Sequence, residues 1–260
     1  MSSVDGSPGN LDLGADPDAE LPKMGFLEHL DELRKRLIYS FAALAVAFLV
    51  CWNFAPQIFH IIELPLLQYL KPGERLAYTR MTAPFFLYMK VAFFAAVFLA
   101  SPFILTQLWL FIAPGLYRRE RRYALPFILF ASLFFLAGGY FSYRLVFPMA
   151  CKFFVDMGRD FQQVITVDDY FGFANKMILG MGLIFETPIL IFFLARLGIV
   201  TPAFLMQKFK YAVVVIFIIA AVITPTPDMV TQSALAVPMI LLYLLGVLIA
   251  WLFGKRPETD

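Results

Sequence analysis

Residues 83–113 read APFFLYMKVAFFAAVFLASPFILTQLWLFIA, and Lys90 is the only charged side chain in this run. A transmembrane helix needs about 20 predominantly apolar residues, each adding about 1.5 Å of length. The run is longer than that requirement. It therefore predicts a membrane-spanning helix that tilts in the bilayer or protrudes from it.

Five more apolar runs follow the same pattern, and together they set the class of fold. The whole chain is 61% hydrophobic and 15% charged, with a mean hydropathy of +0.77. A soluble domain is about 45–50% apolar and about 25% charged. We therefore predict an all-α, polytopic membrane protein with six transmembrane helices. The other five spans are predicted at Leu37–Trp52, Tyr123–Phe147, Tyr170–Leu197, Tyr211–Thr224 and Ala234–Phe253.

The chain divides into a tail, a membrane domain and a short second tail. Residues 1–22 are rich in Gly, Ser, Pro and Asp, which predicts a disordered acidic tail. Residues 23–253 form the six-helix transmembrane domain, and residues 254–260 form a cytoplasmic tail. The domain begins with a predicted amphipathic helix lying in the membrane interface. Its apolar stripe is formed by Phe26, Leu30, Leu33 and Leu37.

Lysine and arginine are distributed unevenly between the loops, and this bias predicts the orientation. If the amino terminus is cytoplasmic, the inside segments carry thirteen of these residues and the outside loops carry five. Both termini are therefore predicted inside. The outside basic residues are Lys71, Arg75, Arg80, Lys152 and Arg159.

Glu186 is the residue that points most directly to function. It lies in the middle of the fourth predicted span, followed by Thr187 and Pro188. A carboxylate at the bilayer centre costs on the order of 3 kcal/mol on insertion scales, so such residues usually have a partner or line a cavity. Pro188 also removes a helical hydrogen bond at this point. We interpret Glu186 as lining a groove, with a helix-packing role as the alternative.

Other features of the sequence argue against several classes of function. His29 and His60 both lie outside the spans, and no metalloprotease motif or phosphate-binding glycine loop is present. We predict no enzyme activity, metal site, cofactor or nucleic-acid binding. Cys51 and Cys151 are interpreted as small apolar fillers, with a disulfide between them as the alternative. Either Lys90 or Lys176 could bridge toward Glu186.

Four short motifs follow one another along the chain. The first, His29 to Leu37, reads HLDELRKRL, and the second, Phe111 to Arg122, reads FIAPGLYRRERR. The third is Phe185-Glu186-Thr187-Pro188. The fourth combines Thr224-Pro225 with Asp228 and Gln232. Together they resemble the TatC family of protein translocases. The motifs occur in order, and the resemblance covers nearly all of the chain from Met24 to Phe253.

The resemblance implies a concave receptor that binds folded cargo through a signal peptide with paired arginines. Glu32 and Glu120 match the carboxylates that contact those arginines, and Arg34 and Phe111 match neighbouring recognition positions. The remaining matches are to positions tied to scaffold or transport: Pro65, Glu186, Asp228 and Gln232.

The same resemblance implies a prokaryotic inner membrane as the location and the proton-motive force as the energy source. It implies the single-span proteins TatA and TatB as partners, together with self-association and contact with lipid. A different reading of the residues is a proton-coupled secondary transporter with Glu186 as its coupling carboxylate. That reading predicts two related halves with interrupted helices.

Overall fold

A computed structural model describes residues 26–71, 73–112, 124–224 and 228–253 of the chain. The predicted tails, residues 1–22 and 254–260, lie outside this range. The described residues are mostly helical. The α-helices in chain order are α1 (Phe26–Trp52), α2 (Ala55–Leu67), α3 (Ala83–Ile112), α4 (Ala124–Phe141), α5 (Phe147–Met157), α6 (Val167–Phe185), α7 (Thr187–Arg196), α8 (Pro202–Gln207), α9 (Phe209–Ile223) and α10 (Met229–Phe253).

The predicted six-helix membrane fold is confirmed. Five helical stretches are long and apolar enough to cross a membrane, and each overlaps one of the predicted spans. The remaining predicted span corresponds to the shorter α9, which α8 precedes. The five long stretches are Leu27–Trp52, Ala83–Phe111, Ile128–Met157, Val167–Arg196 and Met229–Phe253.

The prediction of a separate interfacial helix before the first span is wrong. α1 runs without a break from Phe26 to Trp52. No glycine or proline lies between these residues, so nothing in the sequence ends the helix at the membrane surface. Leu30, Leu33 and Leu37 are exposed along α1, and none of them joins the protein core.

Contacts between helix ends define one end of the bundle, which we call the amino-terminal end because α1 begins there. The carboxyl ends of α3, α7 and α10 lie at this end. An even number of spans between the start of α1 and the end of α10 explains this arrangement. The contacts are His29 with Phe111, Trp109 with Phe193, and Arg196 with the carbonyl oxygen of Phe253.

At the opposite end, the two predicted outside loops contain α2 and α5 and are joined to each other. Ala77 and Thr166 form an isolated parallel bridge, in which the Ala77 amide donates to the Ile165 oxygen at 2.9 Å. The Tyr170 hydroxyl donates to the Ile62 carbonyl of α2 at 2.6 Å. These contacts place α2 over the start of α6.

Small residues let α4 and α6 pack closely in the middle of the bundle. A Cβ atom on Gly138 of α4 would lie 2.6 Å from the Met181 oxygen, and one on Gly182 of α6 would lie 3.3 Å from the Phe135 oxygen. Small residues at helix interfaces in membranes allow the backbones to approach in this way. A π-helical turn, Ser142–Val146, follows α4.

The fifth predicted span, Tyr211–Thr224, is preceded by the short helix α8. Thr201 caps α8 by accepting a hydrogen bond from the Phe204 amide at 3.2 Å, and Pro202 occupies the first turn. Lys208 separates α8 from α9, which forms most of the span.

The two cysteines fill space in the core, as predicted. Cys51 and Cys151 are both buried, and neither forms a disulfide. The alternative of a bond between them is wrong.

Candidate functional site

Three polar side chains connect α1 to α3 near the amino-terminal end. Glu32 Oε1 accepts a hydrogen bond from Arg36 Nη2 at 3.1 Å, a contact that residues four apart on one helix can make. Arg36 Nη1 also donates to Gln107 Oε1 of α3 at 3.3 Å. The guanidinium of Arg36 therefore bridges a carboxylate on its own helix and a carboxamide on the next.

The Glu32 carboxylate is enclosed and only partly satisfied. The Glu32 side chain is 16% exposed and that of Arg36 is 28% exposed. Glu32 Oε2 and Arg36 Nε are buried and have no hydrogen-bond partner among the described residues. A carboxylate can accept several hydrogen bonds and a guanidinium can donate five, so both groups retain unused capacity.

An aromatic pair lies one helical turn closer to the end of the bundle. The His29 and Phe111 rings stack with their centroids 4.4 Å apart and their planes 18° apart. His29 precedes Glu32 by three residues on α1, and Phe111 follows Gln107 by four on α3. The stack and the polar bridge therefore belong to one continuous seam between the two helices, which we call the α1–α3 seam.

The structure brings two of the four predicted recognition residues to this seam. Glu32 and Phe111 both lie in it, while Arg34 is exposed on α1. Glu120 lies outside the described residues, in the segment that follows Ile112 and precedes Ala124. The described residues on either side of that segment are the carboxyl end of α3 and the start of α4.

Gln107 and Arg36 were missed as candidate site residues. Gln107 is buried within a run that is otherwise almost entirely apolar, so the argument applied to Glu186 would have identified it too. The spacing of Arg36 on α1 indicates only its contact with Glu32. Its second contact depends on the register of α1 against α3, which neither helix encodes alone.

Glu186 lies at a break in the fourth span, which the sequence predicts as one helix. α6 ends at Phe185 and α7 begins at Thr187, so Glu186 is the residue between them. Pro188 explains the break, because it cannot donate a helical hydrogen bond and occupies the first turn of α7. Glu186 Oε1 is buried without a partner among the described residues.

The helices on either side of Glu186 are held by close packing. Phe185 lies within 2.7 Å of where a Cβ on Gly138 would be, so α6 is pressed against α4 just before the break. A Cβ on Gly246 of α10 would lie 3.3 Å from the Pro188 backbone, so α7 is pressed against α10 just after it. The carboxyl group is thus placed where the span changes its packing partner.

The other three candidate residues make local scaffold contacts. Pro65 is buried inside α2. The Asp228 carboxylate caps α10, because Oδ1 accepts from the Thr231 amide at 2.7 Å and Oδ2 accepts from its hydroxyl. Gln232 Nε2 donates to the Phe217 carbonyl at 2.9 Å, which ties α10 to α9.

Lys90 does not bridge toward Glu186. Lys90 Nζ lies 2.8 Å from Asp168 Oδ1, and Arg80 Nη2 lies 3.5 Å from the other oxygen of the same carboxylate. Asp168 lies in the first turn of α6, near the opposite end of the bundle. The ion pair therefore links the start of α6 to α3.

Comparison with known proteins identifies the family. The model of a family described as "Sec-independent protein translocase protein (TatC)" matches residues 28–238. The chain belongs to the TatC family. A TatC protein of Koribacter versatilis (strain Ellin345) is 46% identical over 239 residues, which are 91% of this chain and 88% of that protein. A TatC protein of Helicobacter pylori (strain J99) is 44% identical over 237 residues, covering 89% of this chain and 91% of its own length.

Solved structures agree with this assignment. A crystal structure of a twin-arginine translocase receptor, TatC, matches with a TM-score of 0.76 and 36% identity, covering 86% of this chain and 99% of that one. A second crystal structure of such a receptor, in DDM, matches with a TM-score of 0.78 and 35% identity over 88% of this chain. The present chain is therefore a multi-pass membrane protein of a protein-transport family.

Proposed function

We propose that this TatC-family protein is the signal-recognising receptor and core of a Sec-independent translocase that exports folded proteins. In this proposal the α1–α3 seam binds the paired arginines of a signal peptide, with Glu32 as one carboxylate partner and Glu120 as the second. Arg34 and Phe111 contribute to binding of the signal peptide at the edge of this seam.

The observation that carries the proposal is the incomplete pairing of Glu32. One carboxylate oxygen is already bonded to a guanidinium, and the other is buried without a partner among the described residues. A buried carboxylate oxygen without a hydrogen bond is costly, so a further cationic donor would be stabilised there. Arginine is suited to this role, because its planar fork can bond both oxygens of a carboxylate.

The aromatic pair beside Glu32 favours the same ligand. A planar guanidinium can stack on aromatic faces, and His29 and Phe111 present such faces one turn from the carboxylate. A ligand that enters from the amino-terminal end would meet these rings before Glu32. Phe111 would then act as a stacking surface as well as a packing residue.

The charge distribution supports a cytoplasmic location for the seam. The amino-terminal end carries Arg34, Lys35, Arg36 and Arg196, and cytoplasmic loops carry an excess of lysine and arginine. We propose that both termini lie in the cytoplasm and that the membrane is the inner membrane of a prokaryote. Signal peptides would then reach the seam from the side on which proteins are made.

The proposal includes partners within the membrane. The described helices present many exposed apolar side chains, on α9 for example Val214, Val215, Ile218 and Val222. Lipid covers such surfaces, and single-span helices can pack against them. We propose TatA and TatB as the single-span partners, with self-association of this chain and the proton-motive force as the energy source. Pro65, Glu186, Asp228 and Gln232 would support transport by maintaining the scaffold around these contacts.

The transporter reading of Glu186 is not favoured. It requires a secondary transporter, whereas the family model and the curated relatives are all Sec-independent protein translocases. Glu186 is better assigned to the translocation step of the same protein.

The test replaces the charge of Glu32 and measures binding of a signal peptide. Glu32→Lys should lower the affinity of the full chain, in lipid nanodiscs, for a synthetic peptide with paired arginines. A hydrogen bond to a charged group contributes about 1.5–3 kcal/mol, so the loss should be roughly 10- to 150-fold. A peptide with paired lysines should bind weakly at the outset and lose less, because lysine lacks the planar fork.

Asp31→Lys is the matched control. Asp31 is the preceding residue on α1, is exposed, and undergoes the same change of charge. It should alter affinity only slightly. Equal losses for Glu32→Lys and Asp31→Lys would show a general charge effect, and an unchanged affinity for Glu32→Lys would reject the proposed site.

A further inference from the structure

The α1–α3 seam already contains an arginine where the proposed ligand would place one. Arg36 Nη2 lies 3.1 Å from Glu32 Oε1, which is the type of contact that a signal arginine would make. The second oxygen of Glu32 is buried. A ligand therefore cannot engage both oxygens of this carboxylate until the covering groups move.

We propose that Arg36 is an internal occupant of the signal-binding carboxylate, and that Gln107 receives Arg36 when a signal arginine displaces it. This inference rests on the proposed function and assigns new roles to two residues within the same site. Arg36 would set the minimum strength of ligand that the receptor accepts. Only a ligand that replaces a guanidinium–carboxylate contact would open the seam.

The geometry provides a route for the exchange. Arg36 is bonded through Nη1 to Gln107 Oε1 at 3.3 Å while Nη2 is bonded to Glu32. Loss of the Glu32 contact therefore leaves Arg36 tethered to α3. A carboxamide oxygen can accept two hydrogen bonds, so Gln107 could take a second N–H from the same guanidinium.

The third guanidinium nitrogen of Arg36, Nε, supports the same exchange. Arg36 Nε is buried without a partner among the described residues. The native contacts thus leave part of the guanidinium unsatisfied, which a residue with a purely structural role would usually avoid. A small movement of the Arg36 guanidinium toward Gln107 would improve the hydrogen bonding of Arg36 when the ligand binds Glu32.

The inference predicts opposite effects for two substitutions in the seam. Arg36→Gln should tighten binding of the paired-arginine peptide by about fivefold, because a partly exposed ion pair no longer has to be broken. Gln107→Leu should weaken binding by roughly two- to tenfold, the equivalent of about one net hydrogen bond. In the Arg36→Gln background, Gln107→Leu should leave the peptide affinity unchanged, because the guanidinium that Gln107 would bind is absent.

Binding of the peptide to the full chain in nanodiscs measures all four members of this cycle. Lys35→Gln is the control, since it removes an exposed charge from the adjacent position of α1. Arg36→Lys is a second variant that keeps the charge but lacks the planar fork of the guanidinium, and it should bind with an affinity between those of the parent and Arg36→Gln.

Weaker binding by Arg36→Gln would overturn the inference, because Arg36 would then support the ligand. Additive effects of the two substitutions would overturn the role of Gln107. Failure of the proposed function gives a different result. In that case Glu32→Gln would leave peptide affinity unchanged, whereas a failure of this inference alone would leave the loss at Glu32 intact.

Discussion

Gly138 provides a quantitative test of how the helices around Glu186 are held. An added Cβ at this position would lie 2.6 Å from the Met181 carbonyl oxygen and 2.7 Å from Phe185 Cγ. The first of these atoms belongs to the backbone and cannot rotate away. Gly138→Ala must therefore push α6 away from α4 directly before the break at Glu186.

The expected cost combines two opposing terms. Overpacking a close contact typically costs about 1–3 kcal/mol, and replacing glycine by alanine within a helix returns up to about 1 kcal/mol. With the full gain subtracted, the net destabilisation should be about 0–2 kcal/mol. For a protein of this size that lowers the Tm by up to roughly 4–8 °C.

Gly172→Ala is the matched control for this measurement. Gly172 lies inside α6, and an added Cβ there meets no atom within 4 Å. This substitution should keep only the propensity gain and raise the Tm by about 1–3 °C. Thermal unfolding of the purified protein in detergent measures both. A Tm for Gly138→Ala equal to or above that of Gly172→Ala would refute the close packing of α4 on α6.

Two further predictions concern transport and topology. Glu186→Leu should insert and accumulate like the parent, because a costly polar group has left the membrane, but should export less cargo; export at the parental level would reduce Glu186 to a packing residue. In a background without native cysteines, membrane-impermeant maleimide added to intact cells should label cysteines at Gly73 and Arg159 but not at Arg119, and labelling at Arg119 would reverse the proposed orientation.

The spans were predictable because the membrane imposes one dominant physical requirement. Each needs a long apolar segment, and a segment such as Ala83–Ile112 meets that requirement from composition alone. α2 was not predicted as a helix, because it lies within an outer segment, and α5 extends the third long stretch beyond its predicted end at Phe147. The position of α2 depends on contacts such as that from Tyr170 to the Ile62 carbonyl.

The candidate site was predictable only in part, for a related reason. The Glu32–Arg36 pair follows from their spacing on one helix, and it forms. The contact from Arg36 to Gln107 and the stack of His29 on Phe111 join residues far apart in the sequence. They depend on how α1 is set against α3, and that register is decided by packing over the whole length of both helices.

The central claim is that paired arginines bind in the α1–α3 seam. The most direct test places a photoreactive residue next to the arginine pair of a signal peptide and maps its crosslinks on the full chain by mass spectrometry. The account predicts crosslinks within residues 29–36 of α1 and 107–111 of α3, and their loss with Glu32→Lys. Crosslinks concentrated on α2 or α5, at the opposite end of the bundle, would contradict it.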